Sequence, residues 1–148
     1  MTPQGTYLRI LLPDGSYGYG RVLSAAYTGF YDYRTARPSA DLDDIDTRPL
    51  LFAQTVRWPD GDRWQVIGNR PLAGEAARPV VRFTQDLADF RQCVIYDSEG
   101  AARPATPLEC VGLERAATWD AHHIERRLLD TFLGLPNQDE MNARVRLS

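Results

Sequence analysis

Three stretches hold residue types that could do chemistry. The first is Asp14-Gly15-Ser16-Tyr17-Gly18-Tyr19-Gly20-Arg21-Val22-Leu23, with three glycines in six residues. A dinucleotide loop needs G-x-G-x-x-G between a strand and a helix, so that backbone N–H groups face a pyrophosphate. Here the order is Gly15, Gly18, Gly20, position 23 is Leu, and Arg21-Val22-Leu23 continues as strand. A Walker loop needs lysine, and all 17 basic residues are arginine. Read as a strand, the segment puts Tyr17, Tyr19, Arg21 and Leu23 on one face and Gly18, Gly20 and Val22 on the other. Glycine in a strand marks a bend or the close approach of another element.

The second stretch is His122-His123. Adjacent residues on a helix diverge by about 100°, so the pair does not easily share a metal, and zinc pairs favour i, i+4. His123 has Arg127 at that spacing, which is no ligand. The pair reads as a surface helix terminus. No G-x-S-x-G elbow occurs, and neither Cys93 nor Cys110 has metal spacing or a protease signature. Both cysteines read as reduced and buried. No catalytic residue, metal site or cofactor is assigned, and the chain reads as a non-enzyme.

The third is Asp41-Leu42-Asp43-Asp44-Ile45-Asp46, four carboxylates in six residues. One reading is a solvated helical turn, with anions tolerated at its N-terminus. The other is an acidic docking patch, which speeds encounter with a basic partner more than it adds affinity. Asp41, Asp43, Asp44 and Asp46 are therefore the candidate steering groups. Tyr31, Tyr33 and Trp58, expected to be exposed, are the candidate aromatic anchors.

The elements that must position these groups are short strands, then helices. Leu8, Ile10 and Leu12 share one face of a first strand. Pro13-Asp14-Gly15 follows in hairpin-turn order. Strands are expected from Tyr17 to about Ala25, Tyr27 to Tyr33, Val80 to Thr84 and Gln92 to Tyr96. A second Pro-Asp-Gly at 59–61 lies between LLFAQTVRW and RWQVIG and reads as a second hairpin. Ser39 is the expected cap of the acidic turn, with Leu42 and Ile45 pointing inward. Thr106-Pro107-Leu108-Glu109 forms a capping box. Asp120 is the expected N-cap of a main helix whose stripe is Ile124, Leu128, Leu129 and Phe132, ended by Gly134 and Pro136. Glu114 is a candidate buried ion-pair partner for Arg21.

The fold class is α+β. It is an antiparallel, strongly bent or barrel-like sheet of about six to seven strands, with a short helix and a main C-terminal helix packed on it. Residues 1–136 form one domain, and 137–148 read as a flexible tail. The net charge of −3 weighs against nucleic acid as partner. No apolar run is long enough for a bilayer, and the N-terminus lacks a basic n-region, so the expected location is the cytoplasm.

DGSYGYGRVL at 14–23, RWQVIGNRPL at 63–72 and ECVGLERAATWDAHHIERRLLDTF at 109–132 together resemble the immunity protein 26 family of bacterial polymorphic toxin systems. The resemblance spans about residues 5 to 135. The matching positions are Tyr17, Gly18, Tyr19, Gly20, Arg21, Trp64, Ile67, Gly68, Leu113, Glu114, Trp119 and Asp120, and most read as framework. The resemblance implies an interaction protein that binds and neutralises a cognate toxin domain, with no catalytic residue to carry over. If the toxin is a nuclease, its basic groove suits an acidic blocker. The alternatives are a barrel-like nucleic-acid or ligand-binding module, and a hydrolase using paired carboxylates.

Overall fold

The structure is a computed structural model that describes residues 2–148. Strand β1 (Thr6–Leu11) alternates as its sequence requires, and Leu8, Ile10 and Leu12 enter the main core. The first Pro-Asp-Gly closes a hairpin onto β2 (Tyr17–Val22). The Gly15 N–H donates to the Leu12 carbonyl at 3.0 Å, and Asp14 accepts from the Ser16 N–H at 3.0 Å. β3 (Thr28–Thr35) pairs antiparallel with β2, the five-residue helix α1 (Leu42–Asp46) follows, and β4 (Leu50–Arg57) pairs with β3.

The second Pro-Asp-Gly does not make a hairpin. It leads from β4 into β5 (Trp64–Asn69), which pairs not with β4 but with β1 at the far side of the sheet. Turn chemistry fixes a local reversal, not the strand that the returning chain joins. Here the core decides: Trp64 packs among Leu8, Ile10 and Phe30, and Trp58 meets it across the opening at 6.3 Å between ring centroids.

Then come β6 (Val81–Gln85), β7 (Cys93–Asp97), β8 (Ala102–Ala105), β9 (Glu114–Arg115) and β10 (Thr118–Asp120). The helices α2 (Ala121–Leu133) and α3 (Gln138–Ala143) follow. Two sheets result, ordered β10-β4-β3-β2-β1-β5 and β8-β7-β6-β9. The first is curled into a half-barrel. The expected single antiparallel sheet is corrected. β10 runs parallel to β4 and β9 parallel to β6, so both sheets are mixed. A parallel partner needs a long crossover, and the excursion through the second sheet supplies one. The strands beyond expectation are short: β8, β9 and β10 have 4, 2 and 3 residues, too few for an alternating signal.

α2 lies in the concave face of the half-barrel. Its stripe is as expected, with Ile124, Leu128 and Leu129 buried and Phe132 packed beside them. Gly18 admits it, because a Cβ there would stand 3.4 Å from a Leu128 methyl. Asp120 occupies the N-cap position but makes no capping bond; its carboxylate accepts from Arg57 at 2.9 Å instead. Gly134 ends the helix at φ 70°. Beyond Pro136, where a flexible tail was expected, Asn137 caps α3, and Arg115 donates to the Ala143 carbonyl at 3.0 Å. Cys93 and Cys110 are buried and unbridged in the second sheet's core.

The expected Glu114–Arg21 pair does not form. Glu114 accepts both Nη groups of Arg127 at 2.8 and 2.9 Å, and an N–H of buried Gln54 at 3.2 Å. Gln54 in turn accepts from Arg82 at 3.0 Å. β4, β6, β9 and α2 therefore meet at one polar seam. Arg21 lies over the Tyr7 ring and donates to the Arg70 and Pro71 carbonyls. Glu114→Ala strands Arg127 and Gln54 in the interior. It should cost about 2–3 kcal/mol in denaturant unfolding, toward the low end for a broken buried pair because Glu114 keeps some solvent contact. A loss below about 0.5 kcal/mol, typical of a surface change, would refute the seam.

Candidate functional site

The acidic helix α1 sits on a cluster of tyrosines. Tyr7, Tyr19 and Tyr31 come from three adjacent strands and point to the convex side of the sheet, because residues two apart in a strand share a face. Ile45 is fully buried among them, and Leu42 covers Gly68, where a Cβ would approach a Leu42 methyl to 2.6 Å. Bare backbone at Gly68 is what lets α1 seat so low. The expected cap, Ser39, is not the cap. Asp41 is, accepting from the Asp44 N–H at 3.2 Å, while the Ser39 N–H donates to the Tyr19 hydroxyl at 3.0 Å.

Each carboxylate of the run has a fixed partner. Asp46 accepts from the Tyr7 hydroxyl and from Arg70 at 3.0 Å, with Arg21 at 3.6 Å. Asp44 accepts from the Tyr33 hydroxyl at 2.5 Å and from Arg48 at 3.1 Å. Asp43 meets Arg70 at 2.9 Å with its side chain still 87% exposed. The Tyr33 hydroxyl, with Arg48 beside it, holds the Asp44 carboxyl below the usual carboxylate range. Reciprocally, Asp44 raises the Tyr33 phenol, and burial raises that of Tyr7. Repulsion among the four aspartates is thus offset by arginines from outside the run.

Beside α1 opens a cavity of about 520 Å³, lined by Arg21, Tyr31, Asp46, Arg48, Arg70 and Glu75 among others. Glu75 is held by the Leu50 N–H at 2.7 Å. Sequence patterning missed Arg48, Arg70 and Glu75, which carry no local signal and converge only through the fold.

The aromatic anchors need correction. Tyr31 is 3% exposed, because it forms part of the floor beneath α1. Tyr33 is half-buried, with Arg48 over its ring at 4.3 Å. Trp58 is half-buried against the core of the half-barrel and does not join α1. The structure therefore brings together Asp41, Asp43, Asp44, Asp46, Tyr31 and Tyr33, but not Trp58. Of the framework positions, Tyr19, Gly68 and Arg21 support α1. Gly20 closes on Phe30, and Trp64 and Trp119 lie in the core. Among the described residues no three metal-ligating side chains converge, and the His122 and His123 rings stack at 4.0 Å in the first turn of α2.

A family model, Immunity protein 26, matches residues 3–94. The chain belongs to the immunity protein 26 family. The matched span contains α1, its tyrosine floor, the cavity and β5, and ends at β7. The expected span to about residue 135 is longer than the match, which leaves β9, β10 and α2 outside it. No curated protein and no solved structure matches the chain. No helix among the described residues is long and apolar enough to cross a membrane.

The site has an acid signature. A carboxyl depressed in the folded state adds stability that is present above its unfolded value, about pH 4, and lost as pH falls through its folded value. Tyr33→Phe removes the largest cause of the Asp44 depression. The fall in Tm between pH 7 and pH 3 should be smaller in Tyr33→Phe than in the wild type. Equal falls would show that the Asp44–Tyr33 bond does not couple α1 to folding.

Proposed function

We propose that this chain is an immunity protein of a bacterial polymorphic toxin system, acting in the cytoplasm by binding a cognate toxin domain in a stoichiometric complex. The family match over residues 3–94 is the observation that carries this reading. The geometry supports binding through preorganisation. α1 presents Asp43 on a helix already clamped by Arg48, Arg70, Tyr7 and Tyr33. Side chains ordered before encounter lose less freedom on association. A complex of ordinary size buries about 800 Å² on each partner.

The charge favours a basic toxin surface, such as the nucleic-acid groove of a nuclease. Exposed carboxylates there raise the encounter rate and add little to the lifetime of the complex. Asp43→Asn removes the most exposed member of the run without touching the Tyr33 or Tyr7 contacts. With the toxin domain encoded beside this gene, the variant should associate more slowly at low ionic strength. The difference should vanish at high salt, where screening shortens to a few ångströms. An unchanged rate and salt slope in stopped-flow would remove α1 from the encounter surface. Failure of the wild type to form a 1:1 complex with that domain would end the immunity reading itself.

A further inference from the structure

β5 is an open edge of the large sheet. It is six residues long, WQVIGN, with neither proline nor charge inside it. Apart from its ladder with β1, residues 64–69 make no backbone–backbone hydrogen bond among the described residues. Its outward N–H and C=O groups therefore have no protein partner. Val66, which is paired with core residue Leu8, is 60% exposed at this rim.

Sheet edges are normally blunted by shortness, proline, charge or a covering element. The other edges here obey that rule. β10 and β9 have 3 and 2 residues, and the four-residue β8 contains Arg103 and Pro104. β5 alone is long, flat in charge and uncovered. Such an edge is a template for one more strand, with main-chain bonds giving affinity and alternate side chains giving specificity.

The surroundings favour an occupant with basic side chains. Asp60 and Asp62 precede β5, are exposed and form no ion pair among the described residues. At the other end α1 lies over Gly68 and displays Asp43. A second copy of this chain fits less well. Two β5 edges in full antiparallel overlap, Val66 against Ile67, would set Arg63 of each against Arg70 of the other. Like charges directly opposite are destabilising, and the two acidic flanks would also meet.

We infer that the β5 edge receives an extended, basic segment of the toxin, pairing main chain to main chain as a seventh strand of the large sheet. The inference rests on the toxin-binding reading above and names the surface and the mode. Residue-resolved amide exchange tests it without altering the protein. In the free chain the outward amides of 64–69 exchange freely; in the complex with the toxin domain they should slow by roughly tenfold or more. Two substitutions at the exposed Val66 add a charge test. Val66→Lys should weaken toxin binding by roughly tenfold while Val66→Asp retains it, with both folding as the wild type does. If the complex forms and these amides stay unprotected, the strand pairing is overturned and the immunity reading stands. If no complex forms, both fall together. If the free chain sediments as a dimer with the same amides protected, a second copy occupies the edge and the inference is wrong.

Discussion

The rest of the structure hangs on the polar seam Arg82–Gln54–Glu114–Arg127. The two sheets have separate apolar clusters, one around Leu8, Phe30 and Leu128 and one around Phe83, Ile95 and Cys110. What joins them is a run of buried hydrogen bonds. Gln54 is fully buried and bonded at both ends, donating also to the Arg115 carbonyl at 2.7 Å. Such a junction is costly to desolvate and tolerates few alternatives, because any shift leaves a charge or an amide unpaired. It therefore fixes register more than it adds stability. The parallel pairing of β10 with β4 and of β9 with β6 both depend on where this seam holds the chain. α2 is held a second time at the half-barrel's other rim, where buried Glu125 accepts from Arg63 and from the Trp64 indole at 2.8 Å.

The all-arginine composition acquires a physical meaning in this setting. Arg127 lies 3.5 Å over the Phe52 ring while it bonds Glu114 in the guanidinium plane. Arg82 stacks on Tyr27 and bonds Gln54; Arg48 stacks on Tyr33 and bonds Asp44; Arg21 stacks on Tyr7 and bonds carbonyls. A planar cation can do both at once, with its face on the aromatic ring and its edge to the acceptors. A lysine ammonium has no such plane. Seven tyrosines and an arginine-only basic set are thus complementary parts of one packing scheme.

What the sequence made legible was local. Alternation in Leu8, Ile10 and Leu12, the first Pro-Asp-Gly, the stripe of α2 and its glycine stop all follow from short-range rules, and all are in the structure. What it hid was pairing at long range. The second Pro-Asp-Gly has the same turn chemistry as the first, yet its strand crosses to β1, because Trp64 belongs to the core on that side. Asp120 had the right position for a cap and a different task, since Arg57 competes for its carboxylate. Tyr31 looked like a surface aromatic until α1 covered it. The aspartates were legible as a patch, but their arginine partners came from 21, 48 and 70, and no local pattern joins those numbers.

The two exposed features of the matched span are not independent. Leu42 of α1 rests on Gly68 of β5, and Arg70, two residues beyond, bonds both Asp43 and Asp46. A strand added along β5 would end against this corner. It would meet Arg70 already turned inward to α1, leaving the exposed oxygen of Asp43 and the flank at Asp60 and Asp62 as the charges it encounters. Steering by the acidic groups and docking on the edge then become successive steps at one surface. The carboxylates orient a basic segment from a distance set by screening, and the backbone of β5 holds it once it arrives. The C-terminal third takes no direct part in this. Through Glu125 on Arg63 and Trp64, and through Arg127 at the seam, it keeps the half-barrel curled, so that β5 stays an edge and does not close onto β10.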